Sequence, residues 1–381
     1  MASELTGFAV GDPEAIQRWE EMLTYEAEVQ AYFHKFEGTA NDSMIVVKDA
    51  LSKGAGEKVT FTLRGRLSGD GAEGDTIIED TAVEESLDFF SDSLLIDQRR
   101  KGTLSKGKMS QQRVSFKIRK ECGDALQNWF IEDRDQQYFI YASGARGVNA
   151  DFHVPTTFTG RAGNALRAPS ADRIIYAGNA TAKIDLAADD LMSLSLVERL
   201  VALAETTDPM MMPFMVDGEK KFILLMHTWQ AFALRTSTTA NDWLDIQKAT
   251  QRDKAPLFFK NALGEYADVV LHKHRSIIRF DDYGATVDLP AARALFFGAQ
   301  AMVCAYGRNV ENENQAGADL KGRRVWWNEE TADRGNRLAV TGGIITGVQK
   351  TKYDRTVNGG TSTDFGVVAV ETYCKDPNAT A

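Results

Sequence analysis

The sequence predicts an α+β fold that carries a long arm, and three observations lead there. Val59, Phe61, Leu63 and Leu67 alternate with Thr60, Thr62, Arg64 and Arg66, the period-two pattern of a half-buried strand. Met109 to Ala142 places Val114, Ile118, Cys122, Ala125 and Trp129 three or four apart, which predicts one long helix. Beyond residue 185 strands and helices mix, and the chain closes on two apolar β segments, Leu338 to Tyr353 and Phe365 to Tyr373.

Each element follows in order. Residues 1 to 11 read as a tail. Asp12-Pro13 is a helix start, since Asp caps and Pro suits the first helical position. Trp19, Met22, Val29, Phe33 and Phe36 then make an apolar stripe that needs a surface to cover it. A second strand-like run, Leu87 to Asp97, follows the first after 19 residues bearing Gly69, Gly71 and Gly74. So long a connection makes residues 58 to 97 a hairpin-like arm. Gly144 and Gly147 end the long helix. Met192, Leu196, Leu200 and Leu203 mark a helix with Asp189-Asp190 as its cap, Lys221 to His227 a buried strand, and Asp242 to Thr250 a short helix. Ala267 to Phe280 is strand-rich, Asp281-Asp282 a turn, and the apolar run Ala291 to Tyr306 reads as helix. Asn358-Gly359 is a turn signal between the closing strands.

Composition narrows the class. A chain of 381 residues, 43% hydrophobic and 26% charged, can bury a large core, and predicts two or three domains of about 150 residues each. Lys and Arg number 44 against 54 Asp and Glu, so the net charge is 44 − 54 = −10, a poor balance for gripping nucleic acid broadly. Cys122, Cys304 and Cys374 stand far apart, which argues against a disulfide framework and a thiolate zinc site. No apolar stretch reaches the ~18 residues of a membrane span. The first residues lack a basic, apolar secretion signal.

Motifs for catalysis are weak. Gly69, Gly71 and Gly74 have dinucleotide-loop spacing, but Asp70, Glu73 and Asp75 would repel a pyrophosphate. Gly102 to Lys108 has phosphate-loop spacing, yet Met109 stands where a hydroxyl should reach magnesium; a nucleotide-binding enzyme using Lys108 is the rival reading. His272 and His274 would share a strand face as a metal pair, with surface histidines the plainer reading. No nucleophile, base and oxyanion donor assemble, so no catalytic residue, cofactor or metal is expected.

The charge pattern is stronger. From Leu67 to Gln98 there are ten acids and no Lys or Arg: Asp70, Glu73, Asp75, Glu79, Asp80, Glu84, Glu85, Asp88, Asp92 and Asp97. From Arg99 to Lys120 there are nine basic residues and no acid: Arg99, Arg100, Lys101, Lys106, Lys108, Arg113, Lys117, Arg119 and Lys120. Such runs are often solvated faces. Complementarity between copies is the sharper expectation: Glu79, Glu84, Glu85, Asp88 and Asp92 against the basic run, or against Arg323, Arg324 and Arg337, of a neighbour. Trp129 and Trp326-Trp327 are expected to supply apolar packing beside them.

The ordered segments "KVTFTLRGRLSGDGAEGDTIIEDTAVEESLDFFSDSLLIDQRR", "MSQQRVSFKIRKECGDALQNWF", "FILLMHTWQAFALRTSTTANDWLDIQKA", "NALGEYADVVLHKH" and "WWNEETADRGNRLAVTGGIITGVQKTKYD" resemble the major capsid proteins of tailed bacteriophages. These have the Hong Kong 97 fold, and the coliphage N-four group is the narrower likeness. The resemblance implies an N-terminal arm (1–57), an extended β-hairpin loop (58–108), a peripheral domain with a long spine helix (109–189 and 325–381) and an axial domain (190–324). It implies a non-enzymatic structural protein of the virion, assembled in the host bacterial cytoplasm. Hexamers and pentamers of it would form an icosahedral shell around double-stranded DNA, bound without sequence specificity. Expected partners are further copies, a separate scaffolding protein, a portal and decoration proteins; no membrane is involved. Gly-rich arm tips would give one sequence the freedom to fit several shell positions.

Overall fold

The computed structural model describes residues 31–48, 56–65, 67, 70–75, 77–79, 84, 87–114, 116–216, 219–237, 262–307, 326–354 and 362–378. The expected helix from Asp12 with Trp19, Met22 and Val29, the helix at 242–250, Glu85, Arg323, Arg324 and the Asn358-Gly359 turn lie outside them.

Two sheets organise the chain. The six-stranded sheet runs β1 (Glu37–Gly38), β2 (Ile45–Lys48), β15 (Met302–Tyr306), β17 (Arg337–Lys350) and β16 (Trp326–Ala332), with β5 (Asp97–Leu104) on the other side of β17. Thr346 of β17 pairs with both Asp97 and Tyr306, so β17 is the spine of the sheet. The eight-stranded sheet runs β11 (Ala262–Tyr266), β12 (Val269–Lys273), β10 (Glu219–Met226), β14 (Leu289–Phe297), β20 (Val367–Tyr373) and β8 (Ile174–Tyr176). There β9 (Phe214–Val216) pairs with β10 and β13 (Arg279–Tyr283) with β14. Phe222 to Met226 are all buried, as a strand covered on both faces requires.

The expected single helix from Met109 is two. Helix α1 (Lys108–Arg113) stops at Val114, whose backbone is extended, and α2 (Ile118–Ser143) follows. The Gln111 side chain makes the joint: its amide donates to Phe116 O at 2.7 Å and its oxygen accepts from Ile118 N at 2.9 Å. Val114, Ile118, Cys122 and Leu126 all pack on Val340, so the apolar spacing continues across a break it does not reveal. At ~1.5 Å per residue the 26 residues of α2 span roughly 39 Å. Gly144 ends it in the left-handed region, φ 70°, where a Cβ would stand 2.1 Å from Arg167 O.

Three further expectations are corrected. Ala291 to Tyr306 is not a helix but β14, a turn at Gly298–Ala301, and β15. An apolar run buried on both faces shows no period that separates strand from helix. Helix α3 (Leu194–Thr206) is capped by Ser193, whose Oγ accepts from Leu196 N, rather than by Asp189-Asp190. Asp281 and Asp282 lie within β13. Helix α4 (Thr228–Ser237) follows β10.

The two sheets draw strands from distant parts of the chain. Strand β15 lies in the six-stranded sheet although it falls within 190–324, and β20 lies in the eight-stranded sheet although it falls within 325–381. Strand β5, which falls within 58–108, pairs with β17 in the six-stranded sheet.

The histidine pair sits among rings rather than on the surface, with His272 buried and His274 half-buried. Tyr32 and the 3-10 turn Phe33–Phe36 wedge against α2: Phe33 packs on Phe139 at 4.8 Å between centroids, and Tyr32 on His274 at 5.0 Å. His274 stacks on Phe139 at 4.7 Å. Asp135 holds this segment by accepting from Tyr32 N at 2.7 Å and Phe33 N at 3.4 Å. Burial, then the nearby charges of Arg275 and Lys35 and the neighbouring His227, hold the His274 imidazole down to about 4. Burial and Arg279 hold His227 down to about 4. Unfolded histidines take up protons near pH 6.5 while these two stay neutral, so stability falls as pH drops from about 6.5 to about 4. Asp135 opposes this, because burial raises its carboxyl to about 7 and favours the fold at low pH. Two histidines outweigh one acid. His274→Gln is expected to flatten the loss by about one proton's worth of slope, read from unfolding free energy against pH; an unchanged slope would refute it.

Candidate assembly surfaces

The arm is a two-stranded hairpin outside both sheets. Strands β3 (Lys58–Arg64) and β4 (Phe89–Leu95) pair antiparallel from Lys58↔Leu95 to Arg64↔Phe89, and Gly65 N extends the ladder to Asp88 O at 2.8 Å. Val59, Phe61, Leu94 and Ile96 pack its root on Val303 and Ala305. Toward the tip large apolar side chains face solvent: Leu67 is 58% exposed, Ile77 71% and Phe89 62%, with Ile78 and Leu87 also exposed. An isolated protein rarely leaves so many on one protrusion.

The root is held by polar contacts that no sequence spacing announces. Arg167 grips Asp92 through two bonds, at 2.6 and 2.7 Å, and donates to Lys350 O at 2.9 Å. Asn164 reads the backbone of Leu95 like a neighbouring strand, accepting from its N at 3.0 Å and donating to its O at 2.7 Å. Asn164 sits in a small hairpin of β6 (Gly160–Arg161) and β7 (Asn164–Ala165). Beside it, β18 (Lys352–Asp354) pairs with β19 (Ser362–Asp364).

Of the expected acids, Glu79, Glu84 and Asp88 are exposed on the arm. Asp92 has Arg167 of its own chain as partner. Of the expected basic partners, Arg100, Lys101, Lys117 and Lys120 are exposed and Arg113 is half-buried. Two others have partners within the chain. Arg99 bonds the buried Asp133, and Arg119 bonds Glu329 at 2.8 Å. Arg337 lies 3.7 Å from Asp333. Phe33 and Phe36 are buried in the main core; Trp129 packs on its edge under the guanidinium of Arg99, 4.8 Å from the ring centre. Trp326 is half-buried over Gly343, where a Cβ would strike its indole; the Trp327 side chain lies outside the described residues.

The rival phosphate loop fails on geometry. Gly102 is paired with Thr341 inside β5, and Lys108 N is 3.3 Å from Asn336 Oδ1. No turn of free backbone N–H groups wraps a phosphate there. Among the described residues no three His, Cys, Asp or Glu gather as metal ligands, and no helix is long and apolar enough to cross a membrane.

Comparison with known proteins agrees with this architecture. The chain is 38% identical to the capsid of Ralstonia phage GP4, over 99% of this chain and 100% of that one, with a TM-score of 0.85. It matches the Cyanophage Pam1 capsid asymmetric unit at 21% identity over 98% and 99% of the two chains, TM-score 0.71, a likeness of fold. It is 24% identical to the major capsid protein of Pseudomonas phage KPP25, over 96% of each chain. The model of the family described as "Phage capsid protein" matches residues 7–376. With that span of the chain matched, and an arm projecting from two sheets in the Hong Kong 97-like manner, the chain belongs to the phage capsid protein family.

Proposed function

We propose that this chain is the major capsid protein of a tailed bacteriophage, a structural protein rather than an enzyme, that self-assembles into an icosahedral shell around double-stranded DNA. The observation that carries the reading is the projecting hairpin with Leu67, Ile77, Ile78, Leu87 and Phe89 exposed along it, since these need the surface of another copy. The 38% identity to the GP4 capsid supports it. In this reading hexamers and pentamers close the shell in the host cytoplasm, with a scaffolding protein, a portal and decoration proteins as partners. The acid-rich arm gives register between copies more than affinity, because an exposed ion pair contributes about 0 to 1 kcal/mol. Electron microscopy of the expressed chain, alone and with neighbouring phage genes, tests this. Closed shells are expected. Only monomers or amorphous aggregates under both conditions would refute it.

A further inference from the structure

We propose that Arg167 is a positioning residue: with Asn164 as the pivot, its grip on Asp92 fixes the direction in which the arm leaves its own body, and so the radius at which a shell closes. This rests on the shell reading above and names what, within one chain, sets the curvature. The root strand β4 lies directly on the backbone of β17 at Gly347, where a Cβ would strike Leu95 O. Asn164 holds Leu95 there through both its N and its O. A strand held at one point can swing about it. Asp92, three residues further out, supplies the second point. Arg167 Nη1 and Nη2 donate to its two carboxylate oxygens at 2.6 and 2.7 Å, and Lys352 N donates to Oδ2 at 3.3 Å. Arg167 is tied in turn to the end of β17, donating to Lys350 O at 2.9 Å.

Lever arithmetic gives the second point its weight. At ~3.3 Å per residue Leu95 and Asp92 are about 10 Å apart, and the ladder runs on to Asp88, about 23 Å from Leu95. Any play at Asp92 is therefore multiplied at Asp88 by 7/3, about 2.3-fold. The apolar packing of Val59 and Leu94 on Val303 and Ala305 holds the root down, but such packing has no preferred direction. A planar guanidinium set against a carboxylate by two bonds fixes an angle as well as a distance. Where copies meet through the arm, its direction sets the angle between them. A closed shell repeats that angle over every copy, so a loose arm admits several radii.

Arg167→Lys tests this, because Lys keeps the charge and loses the paired geometry. Its unfolding temperature is expected to shift by no more than about 3 °C, as for other part-exposed ion pairs. Nitroxide labels on Arg64→Cys in the ladder and Glu330→Cys in the six-stranded sheet then read the arm's direction in the unassembled chain. Their distance distribution is expected to broaden about twofold in Arg167→Lys and in Asp92→Asn, as the lever requires. Electron microscopy of both variants, under the condition that gives closed shells from the unmodified chain, should show more than one diameter or shells that fail to close. Leu200→Ala, in the core beside the eight-stranded sheet, controls for a loss of stability alone. It should lower the unfolding temperature and leave the distance distribution and the shell diameter unchanged. An unchanged distance distribution in Arg167→Lys and Asp92→Asn, or shells of one normal diameter from both, would overturn the role of Arg167 while the shell reading stands. No closed shells from the unmodified chain would overturn the shell reading itself, and the curvature role with it.

Discussion

Lys350→Ala is expected to lower the unfolding free energy by about 3 to 5 kcal/mol, measured by urea unfolding. Lys350 ends β17 and its ammonium meets Asp364 Oδ2 at 2.8 Å, with the two side chains 0% and 1% exposed. Asp364 Oδ2 also accepts from Ser170 N at 3.0 Å, while its Oδ1 has no partner. Burial pulls the Lys350 amine below its usual range, and Asp364 pushes back. Removing the cation leaves a buried carboxylate without its ion-pair partner, which costs more than the pair itself contributed. The sign of a second variant separates this from a simple cavity. Lys350→Met with Asp364→Asn keeps an acceptor for Ser170 N and removes both charges, so it should recover more than half of the loss. A loss under about 1 kcal/mol for Lys350→Ala, or no recovery in the double variant, would show that the charge imbalance is not what matters.

Replacing residues 66–87 by a two-residue Asn-Gly turn is expected to abolish shells and leave the subunit folded. The ladder already brings Gly65 N to Asp88 O at 2.8 Å, so a tight turn can close the hairpin. The described large apolar residues beyond that point, Leu67, Ile77, Ile78 and Leu87, are exposed, so the isolated subunit has little to lose. In a shell each would contribute about 1.5 to 3 kcal/mol on full burial. Together they outweigh any single exposed ion pair of the arm, at about 0 to 1 kcal/mol. Thermal unfolding should therefore barely move while sedimentation shows only small species. Shells of normal size from the shortened chain would refute the role given to the arm.

The sequence by itself determined the α+β class, the alternation of β3, the body of α2 and its glycine stop, and the separation of acidic arm from basic stretch. These are local patterns, written in neighbouring residues and governed by periods of two and 3.6. It also carried the resemblance that made a capsid subunit the expected answer. Tertiary structure alone decided where that pattern is silent. Ala291 to Tyr306 is apolar throughout, so only the partners β10, β20 and β17 made it two strands in two different sheets. The break before Ile118 depends on one glutamine closing on the backbone. Asp92 reads as one more surface acid until Arg167, 75 residues away, takes it. Asn164 at Leu95, Asp133 among two arginines and a histidine, and Lys350 on Asp364 join residues no motif connects. The physical reason is that a buried polar group is defined by which partner reaches it, and reach across the core is a property of the packed fold.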